Sequence, residues 1–340
     1  MNHPSIKRRE FIRISGVLLA GSILAACQKT SQDSEAPPTS ISKSTEEPQK
    51  TPETSPREET PAAASSVVVL AEGLDFPEGP AFDPQGNLWC TELGSGNLVR
   101  LDGGGLRRYP TNGSPNGLAF DRLGRAWVTD SGQNAIRRFD PQAETWETVA
   151  DNVAGIPLMT PNDLCFDSEG NLLFTCPNFS NTDPTGYVCC LSPDGVVSKI
   201  VEQFYRPNGL DLIDDGKSLV IADTYRKNLF KGEWDAKTRT LKTPKLWAMV
   251  GGAEGPDGMC PGKDRFLYVA IYGDGSIKVV NQAGKVVQSY PLPGTNPTNA
   301  AIDPSGKLGL IVTETEKGQL LSLPEIQPGV AIFDGGNVWP

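Results

Sequence analysis

Six copies of one short phrase constrain the fold of this chain more than any other feature. Each copy reads proline, a polar residue, usually glycine, an apolar pair, a turn with Asp and Gly, and then an apolar strand. The copies begin at Pro77, Pro115, Pro161, Pro207, Pro256 and Pro297. Successive prolines are 38 to 49 residues apart, which is close to the length of a four-stranded propeller blade. The sequence therefore predicts an all-β fold, a six-bladed β-propeller.

The same phrase indicates how each blade is built. An inner strand is expected to run into the Asp-x-x-Gly turn, whose glycine can adopt a positive φ, and a second strand returns antiparallel to it. The rest of each period supplies two outer strands. The β-branched run at residues 67–70 precedes the first phrase, and we expect it to pair with strands from the C-terminal end. That pairing would close the ring and remove free sheet edges.

The first 27 residues have the pattern of an export signal. A basic stretch at residues 7–13 precedes an apolar run at 14–26, which is too short to span a bilayer unaided. The paired arginines resemble a twin-arginine signal. Residues 24–27, Leu-Ala-Ala-Cys, resemble a bacterial lipobox, so Cys27 is the predicted lipidation site. The alternative is an ordinary thiol at the end of an uncleaved anchor helix.

Composition separates the remainder into a tether and one domain. Residues 28–66 are Ser, Thr, Pro, Glu and Lys with almost no large apolar side chain, so a disordered tether is predicted. Residues 67–340 suffice for one large all-β domain, expected to be monomeric. The predicted location is therefore the periplasmic or cell-surface side of a bacterial membrane. Membrane contact is expected only through the N-terminal lipid.

Charge and residue counts exclude several kinds of function. The net charge is −10, which argues against a nucleic-acid partner. The only histidine is His3, inside the predicted signal. The domain therefore has no imidazole for a Ser-His-Asp or Cys-His site, or for histidine-ligated zinc. Its six cysteines match no familiar zinc pattern, and buried thiols or a bridge from Cys176 to Cys189 or Cys190 both remain open.

The residue after each proline forms a predicted ring at the mouth of the axial channel. All six carry a side-chain oxygen: Glu78, Asn116, Asn162, Asn208, Asp257 and Thr298. Converging carboxylate and amide oxygens suit a hard cation such as Ca²⁺. Glu78 and Asp257 are the strongest candidates because an unpaired carboxylate near an enclosed axis is costly without a cation. Asn116 and Thr298 could equally well hydrogen-bond local backbone.

Two other sets of residues are expected to be structural. Four carboxylates end the second strands of their blades: Glu92, Asp130, Asp223 and Glu314. The favoured interpretation is that they cap turns, and the alternative is that they support the ring residues. Trp89 and Trp127 lie at matching places in second strands, where core packing is expected rather than stacking on a sugar.

The phrases also resemble those of a known family. The Glu-Gly-Pro at Glu78, Pro-Asn-Asp at Asn162, Pro-Asn-Gly-Leu at Asn208 and Pro-Asp-Gly-Met at Asp257 are similar to phrases in regucalcin (senescence marker protein), gluconolactonase and luciferin-regenerating enzyme. The resemblance covers residues 67–340. It implies a metal-dependent lactone hydrolase that holds one divalent cation, with calcium favoured and magnesium, manganese or zinc as alternatives.

The resemblance also implies roles for particular residues. Glu78, Asn208 and Asp257 would bind the metal, and Asn162 would lie on the substrate side, where we also place Asn116. As a hypothesis, Asp257 accepts a proton from the attacking water, and Glu78 is the other candidate base. Members similar to regucalcin have an arginine two residues before Asn162, where this chain has Thr160, so aldonolactone specificity is left open.

Two other interpretations compete with a lactone hydrolase. A tethered propeller could be a non-catalytic binding platform that a cation merely stabilises. Calcium would then raise its melting temperature without turnover. The chain could instead be a propeller enzyme resembling strictosidine synthases or arylesterases acting on an ester, although the missing histidine argues against the usual base of the latter.

Overall fold

The computed structural model describes residues 66–103, 105–180, 182–326, 334–335 and 339. The predicted signal peptide, Cys27 and the tether up to residue 65 lie outside these residues, so the export and lipidation predictions stay predictions. The described part of the chain contains 27 strands. It includes no helix that is long and apolar enough to cross a membrane.

The strands form six antiparallel blades, and the first half of the chain supplies three of them. β1 (Val68–Ala71) comes first. Blade 1 contains β2 (Pro77–Phe82), β3 (Leu88–Glu92), β4 (Asn97–Asp102) and β5 (Gly105–Pro110). Blade 2 contains β6 (Pro115–Phe120), β7 (Ala126–Asp130), β8 (Ala135–Asp140) and β9 (Thr145–Ala150). A ribbon of β10 (Asn152–Val153) and β11 (Ile156–Pro157) leads into blade 3, which contains β12 (Leu164–Phe166), β13 (Leu172–Cys176), β14 (Gly186–Leu191) and β15 (Val197–Phe204).

The second half of the chain completes the propeller. Blade 4 contains β16 (Pro207–Ile213), β17 (Ser218–Asp223), β18 (Asn228–Asp235), β19 (Thr240–Leu241) and β20 (Lys245–Met249). Blade 5 contains β21 (Gly255–Pro261), β22 (Leu267–Tyr272), β23 (Ser276–Val280) and β24 (Val286–Pro291). Blade 6 contains β25 (Pro297–Ile302), β26 (Leu310–Glu314) and β27 (Gln319–Leu323). The first strands of successive blades are neighbours around the axis, which confirms the six-bladed prediction.

The ring closes by pairing its two ends. β1 is antiparallel to β27, with Val68 opposite Ser322 and Val69 opposite Leu321. The N-terminal strand thus becomes the outer strand of the last blade, as the run at residues 67–70 predicted. Closure leaves blade 6 with four strands, like blades 1, 2, 3 and 5.

The second strands of the blades are apolar because both of their faces are covered by neighbouring blades. Every residue of β3, β7, β13 and β17 is buried. Trp89 and Trp127 lie in this layer and are almost completely buried. Each indole nitrogen donates to the carboxylate of the preceding turn, Asp83 at 2.9 Å and Asp121 at 3.0 Å. The tryptophans are therefore core residues, as predicted.

Glycine follows most ring residues because the inner strands approach one another too closely for a side chain. A Cβ on Gly79 would lie 2.4 Å from the Asn116 carbonyl oxygen, and one on Gly209 would lie 2.4 Å from the Asp257 carbonyl oxygen. Both contacts are with backbone, which cannot move aside. The glycines of the phrase thus allow the six inner strands to converge.

Hydrogen bonds from threonine hydroxyls link successive blades at the same level. Thr91 donates to the carbonyl of Asn116 at 2.6 Å, and Thr175 donates to that of Asn208 at 2.7 Å. Thr129 donates in the same way to the carbonyl of Asn162. Because each bond ends on a ring residue, these threonines fix the ring residues relative to one another.

A tryptophan near the C-terminus packs far from the blade that precedes it. Trp339 is buried against Trp127 of blade 2, with ring centroids 4.7 Å apart. Its indole nitrogen donates to the Gly170 carbonyl of blade 3 at 2.8 Å. The end of the chain therefore adds an aromatic side chain to the core between blades 2 and 3.

Candidate active site

The predicted ring residues lie together at one end of the axis. In five blades each follows a proline that is the first or second residue of an inner strand, and a register shift occurs there, for example between Glu78 and Ala81 and between Pro256 and Met259. Such irregularities redirect a side chain out of the regular pleat. In blade 3 the inner strand begins only at Leu164, so Asn162 precedes it. Glu78, Asn162 and Asp257 are more than nine-tenths buried.

Glu78 and Asp257 form an acidic pair at this level. Burial raises the pKa of Glu78 well above its usual range, and the Asp257 and Asp163 carboxylates raise it further. Burial likewise raises the pKa of Asp257. The nearby Asn208 side chain acts in the opposite direction and lowers the pKa of Asp257. The structure therefore brings together the three predicted ligands, Glu78, Asn208 and Asp257.

Blade 3 contributes acceptor atoms that have no hydrogen-bond partner. The side-chain oxygen of Asn162 is buried and unpartnered, and so is the Thr160 hydroxyl. Thr160 also has a φ of 50°, a costly conformation for a β-branched residue that is found mainly at functional sites. These atoms are suited to bind a ligand that donates hydrogen bonds. The Asn116 side chain is also buried at this level, which agrees with its predicted place.

Other polar residues near the ring are structural. Thr298 donates to the Pro77 carbonyl of blade 1 at 2.7 Å, so it bonds backbone of the adjacent blade rather than local backbone. The strand-end carboxylates cap turns or pair with arginines: Arg108 with Glu92 at 2.8 Å, and Arg137 with Asp130 and Arg226 with Asp223 at 3.0 and 3.2 Å. Glu314 accepts from backbone N–H groups at 2.9 to 3.0 Å.

Two polar residues just below the ring were not predicted. Asp163 and Asn299 occupy the phrase position that is glycine in the other four copies. They belong to opposite blades, and the Asn299 amide donates to Asp163 at 3.4 Å. Their side chains fill space that a Cβ on Gly117 or Gly258 would occupy. Burial raises the pKa of Asp163 to about 7. The absence of glycine at this position of the phrase is the sequence feature that could have revealed these two residues.

A cavity of about 140 Å³ lies along the axis below this pair. Its lining includes Asp163, Asn299, Cys165, Asp211 and Cys260. The six described cysteines are free thiols, so the proposed bridge from Cys176 is absent among the described residues. A separate cavity of about 600 Å³ between blades 4 and 5 contains none of the ring residues.

Asp211 is expected to make stability depend on pH. Burial, with a contribution from Asp163, raises its pKa from 3.8 to about 8 in the folded protein. The folded state therefore holds this proton more tightly, so stability falls as pH rises from about 4 to about 8. Asp211→Asn should reduce that fall by a few kcal/mol, on the order expected for such a shift. Urea denaturation at pH 5 and pH 8 measures the free energy of unfolding of both proteins. An unchanged pH dependence in the variant would show that Asp211 is not its source.

Comparison with known proteins agrees with the fold. Residues 76–315 match the model of the SMP-30/Gluconolactonase/LRE-like region. The chain belongs to this family. The drp35 lactonases of Staphylococcus haemolyticus and Staphylococcus epidermidis are 32% and 33% identical over 136 residues, 39% of this chain. The match spans 42% of the length of these relatives.

Solved structures of the SMP-30/gluconolactonase family share the propeller. The calcium-binding protein regucalcin from Agrobacterium tumefaciens aligns with a TM-score of 0.69 and 20% identity, covering 78% of this chain and 95% of that one. A gluconolactonase from Xanthomonas campestris aligns with a TM-score of 0.67 and 23% identity, covering 75% and 88%. At these identities the likeness establishes the fold.

Proposed function

We propose that this protein is a lactone hydrolase that holds one divalent cation, with calcium favoured, at the ring. The observation that carries the proposal is the group formed by the buried Glu78 and Asp257 with the half-buried Asn208. Membership of the SMP-30/gluconolactonase family and the likeness to drp35 lactonases support it.

The chemistry of the ring fits a hard cation. Glu78 and Asp257 are both buried and each disfavours ionisation of the other, and a positive charge between them would remove that penalty. All donors are oxygens, which calcium prefers. Within the described residues no three His, Cys, Asp or Glu side chains form a metal-binding group, so the Asn208 amide is required to complete the set.

The chain's own residues suggest how a lactone is opened. When bound, such a cation supplies positive charge that polarises the lactone carbonyl. Asp257 accepts a proton from the attacking water, and the neighbouring Asn208 amide favours its ionised form. Asn162 and Thr160 offer acceptors to hydroxyl groups of the substrate. The threonine bonds between blades hold these side chains in place.

The proposal is tested by the hydrolysis of small lactones and aryl esters by the full chain. We expect turnover of lactones with divalent cation and its loss with chelator. A rise in melting temperature with calcium but no turnover of either class would instead support a binding platform. Turnover of aryl esters alone would support an arylesterase-like enzyme.

A further inference from the structure

Arg206 lies at the mouth of the ring. It directly precedes Pro207 and Asn208, and its carbonyl accepts a hydrogen bond from the Thr224 backbone at 3.0 Å. Its side chain is half-buried. It is close enough to Asp257 that its positive charge opposes the rise in the pKa of that carboxyl. The guanidinium is therefore within electrostatic range of the proposed reaction centre.

Arg206 forms no ion pair with a carboxylate in the described part of the chain, although Asp257 is within its electrostatic range. Arg108 of β5, Arg137 of β8 and Arg226 after β17 pair with the carboxylates that end the second strands of their blades: Glu92, Asp130 and Asp223. Arg206 forms no such ion pair. Arginine is suited to bind carboxylates because its planar group donates two parallel hydrogen bonds. A guanidinium that forms no ion pair at the mouth of the ring is thus available to an anionic ligand.

Phe179 contacts the Arg206 guanidinium with its aromatic ring. The ring centroid lies 5.5 Å from the guanidinium carbon of Arg206, within the range of a cation–π contact. Phe179 is 46% exposed, and it and Asn178 have φ angles of 37° and 49°. Two successive non-glycine residues in this region are strained, which is characteristic of binding sites. The loop therefore presents an exposed aromatic ring beside the cation.

We propose that Arg206 binds a carboxylate on the substrate, so that the site selects lactones with an anionic substituent next to the ring that is opened. The inference rests on the proposed lactone hydrolysis and adds the substrate class. Asn162 and Thr160, on the neighbouring blade, present acceptors, whereas Arg206 presents donors. The two sides of the site would therefore bind a hydroxyl group and a carboxylate, respectively. Arg206 is then a specificity-determining residue.

The test compares γ-butyrolactone with γ-carboxy-γ-butyrolactone, which is the same ring with one carboxylate. We expect the full chain with calcium to have a KM about 10- to 100-fold lower for the carboxylated lactone, the effect of one charge-assisted interaction. Arg206→Gln should remove this preference, so that the KM values of the two lactones become equal. Arg206→Lys should retain part of it.

Arg226→Gln is the matched control, because Arg226 is on the same blade but is paired with Asp223. It should retain the preference for the carboxylated lactone. No preference in the unaltered protein, or a preference that survives in Arg206→Gln, would overturn the proposal.

A binding measurement separates this inference from the proposed function. If neither lactone is hydrolysed, the lactonase proposal fails, and calorimetric titration with glutarate still tests Arg206. Binding that Arg206→Gln abolishes and Arg226→Gln retains would support the anion site. Absence of binding, or equal binding by Arg206→Gln, would refute it.

Discussion

Asp257→Asn is expected to lower kcat for lactone hydrolysis by about 10²- to 10⁴-fold, the contribution typical of a general base. The amide has nearly the same shape as the carboxylate but cannot accept the proton from water. Saturating the variant with calcium should not restore the rate. Steady-state kinetics across a range of calcium concentrations is the measurement.

Glu78→Gln distinguishes the role of the Glu78 carboxylate from that of Asp257. If Glu78 is only a ligand, this variant should need a higher calcium concentration and recover activity when saturated. Asp140→Asn, a change at a turn after β8, is the control and should leave the rate unaltered. If saturating calcium restored the activity of Asp257→Asn but not that of Glu78→Gln, the base would be Glu78 instead.

Trp339→Ala is expected to lower the free energy of unfolding by about 3–5 kcal/mol, the usual cost of removing a large buried aromatic side chain. The indole is buried between blades 2 and 3 and packs against Trp127 with the two rings tilted by 56°. Its removal would leave a cavity and deprive the Gly170 carbonyl of its donor. Urea denaturation followed by tryptophan fluorescence measures the loss.

Trp339→Phe distinguishes packing from hydrogen bonding at this site. The phenyl ring retains part of the apolar contact with Trp127 but cannot donate to Gly170, so a smaller loss of about 1–3 kcal/mol is expected. A loss of less than about 1 kcal/mol for Trp339→Ala would show that the C-terminal tryptophan does not stabilise the propeller.

Repetition made the fold predictable from the sequence. Each phrase encodes an inner strand, a turn and a second strand within a few residues, so local signals sufficed to place Pro77 and its five equivalents. The same register then placed Glu78, Asn208 and Asp257 on one ring. Closure by residues 67–70 was also predictable, because a β-branched run before the first blade had no partner within its own period.

Features that depend on contacts between distant residues were not predicted. Asp163 and Asn299 meet across the axis from opposite blades, and no local pattern links them. Trp339 packs against Trp127 although they are far apart in the chain. The position of Arg206 beside Phe179 depends on how two loops approach each other. Such contacts follow from the ring geometry, which a linear pattern does not encode.

The measurement that tests the central claim most directly is reconstitution of the chelated full chain with calcium. Bound metal and lactone hydrolysis would be recorded together at each addition. The cation site at Glu78, Asn208 and Asp257 predicts no turnover before addition, and full activity at one bound calcium per chain. Parental turnover by a chain that holds no divalent metal would contradict it.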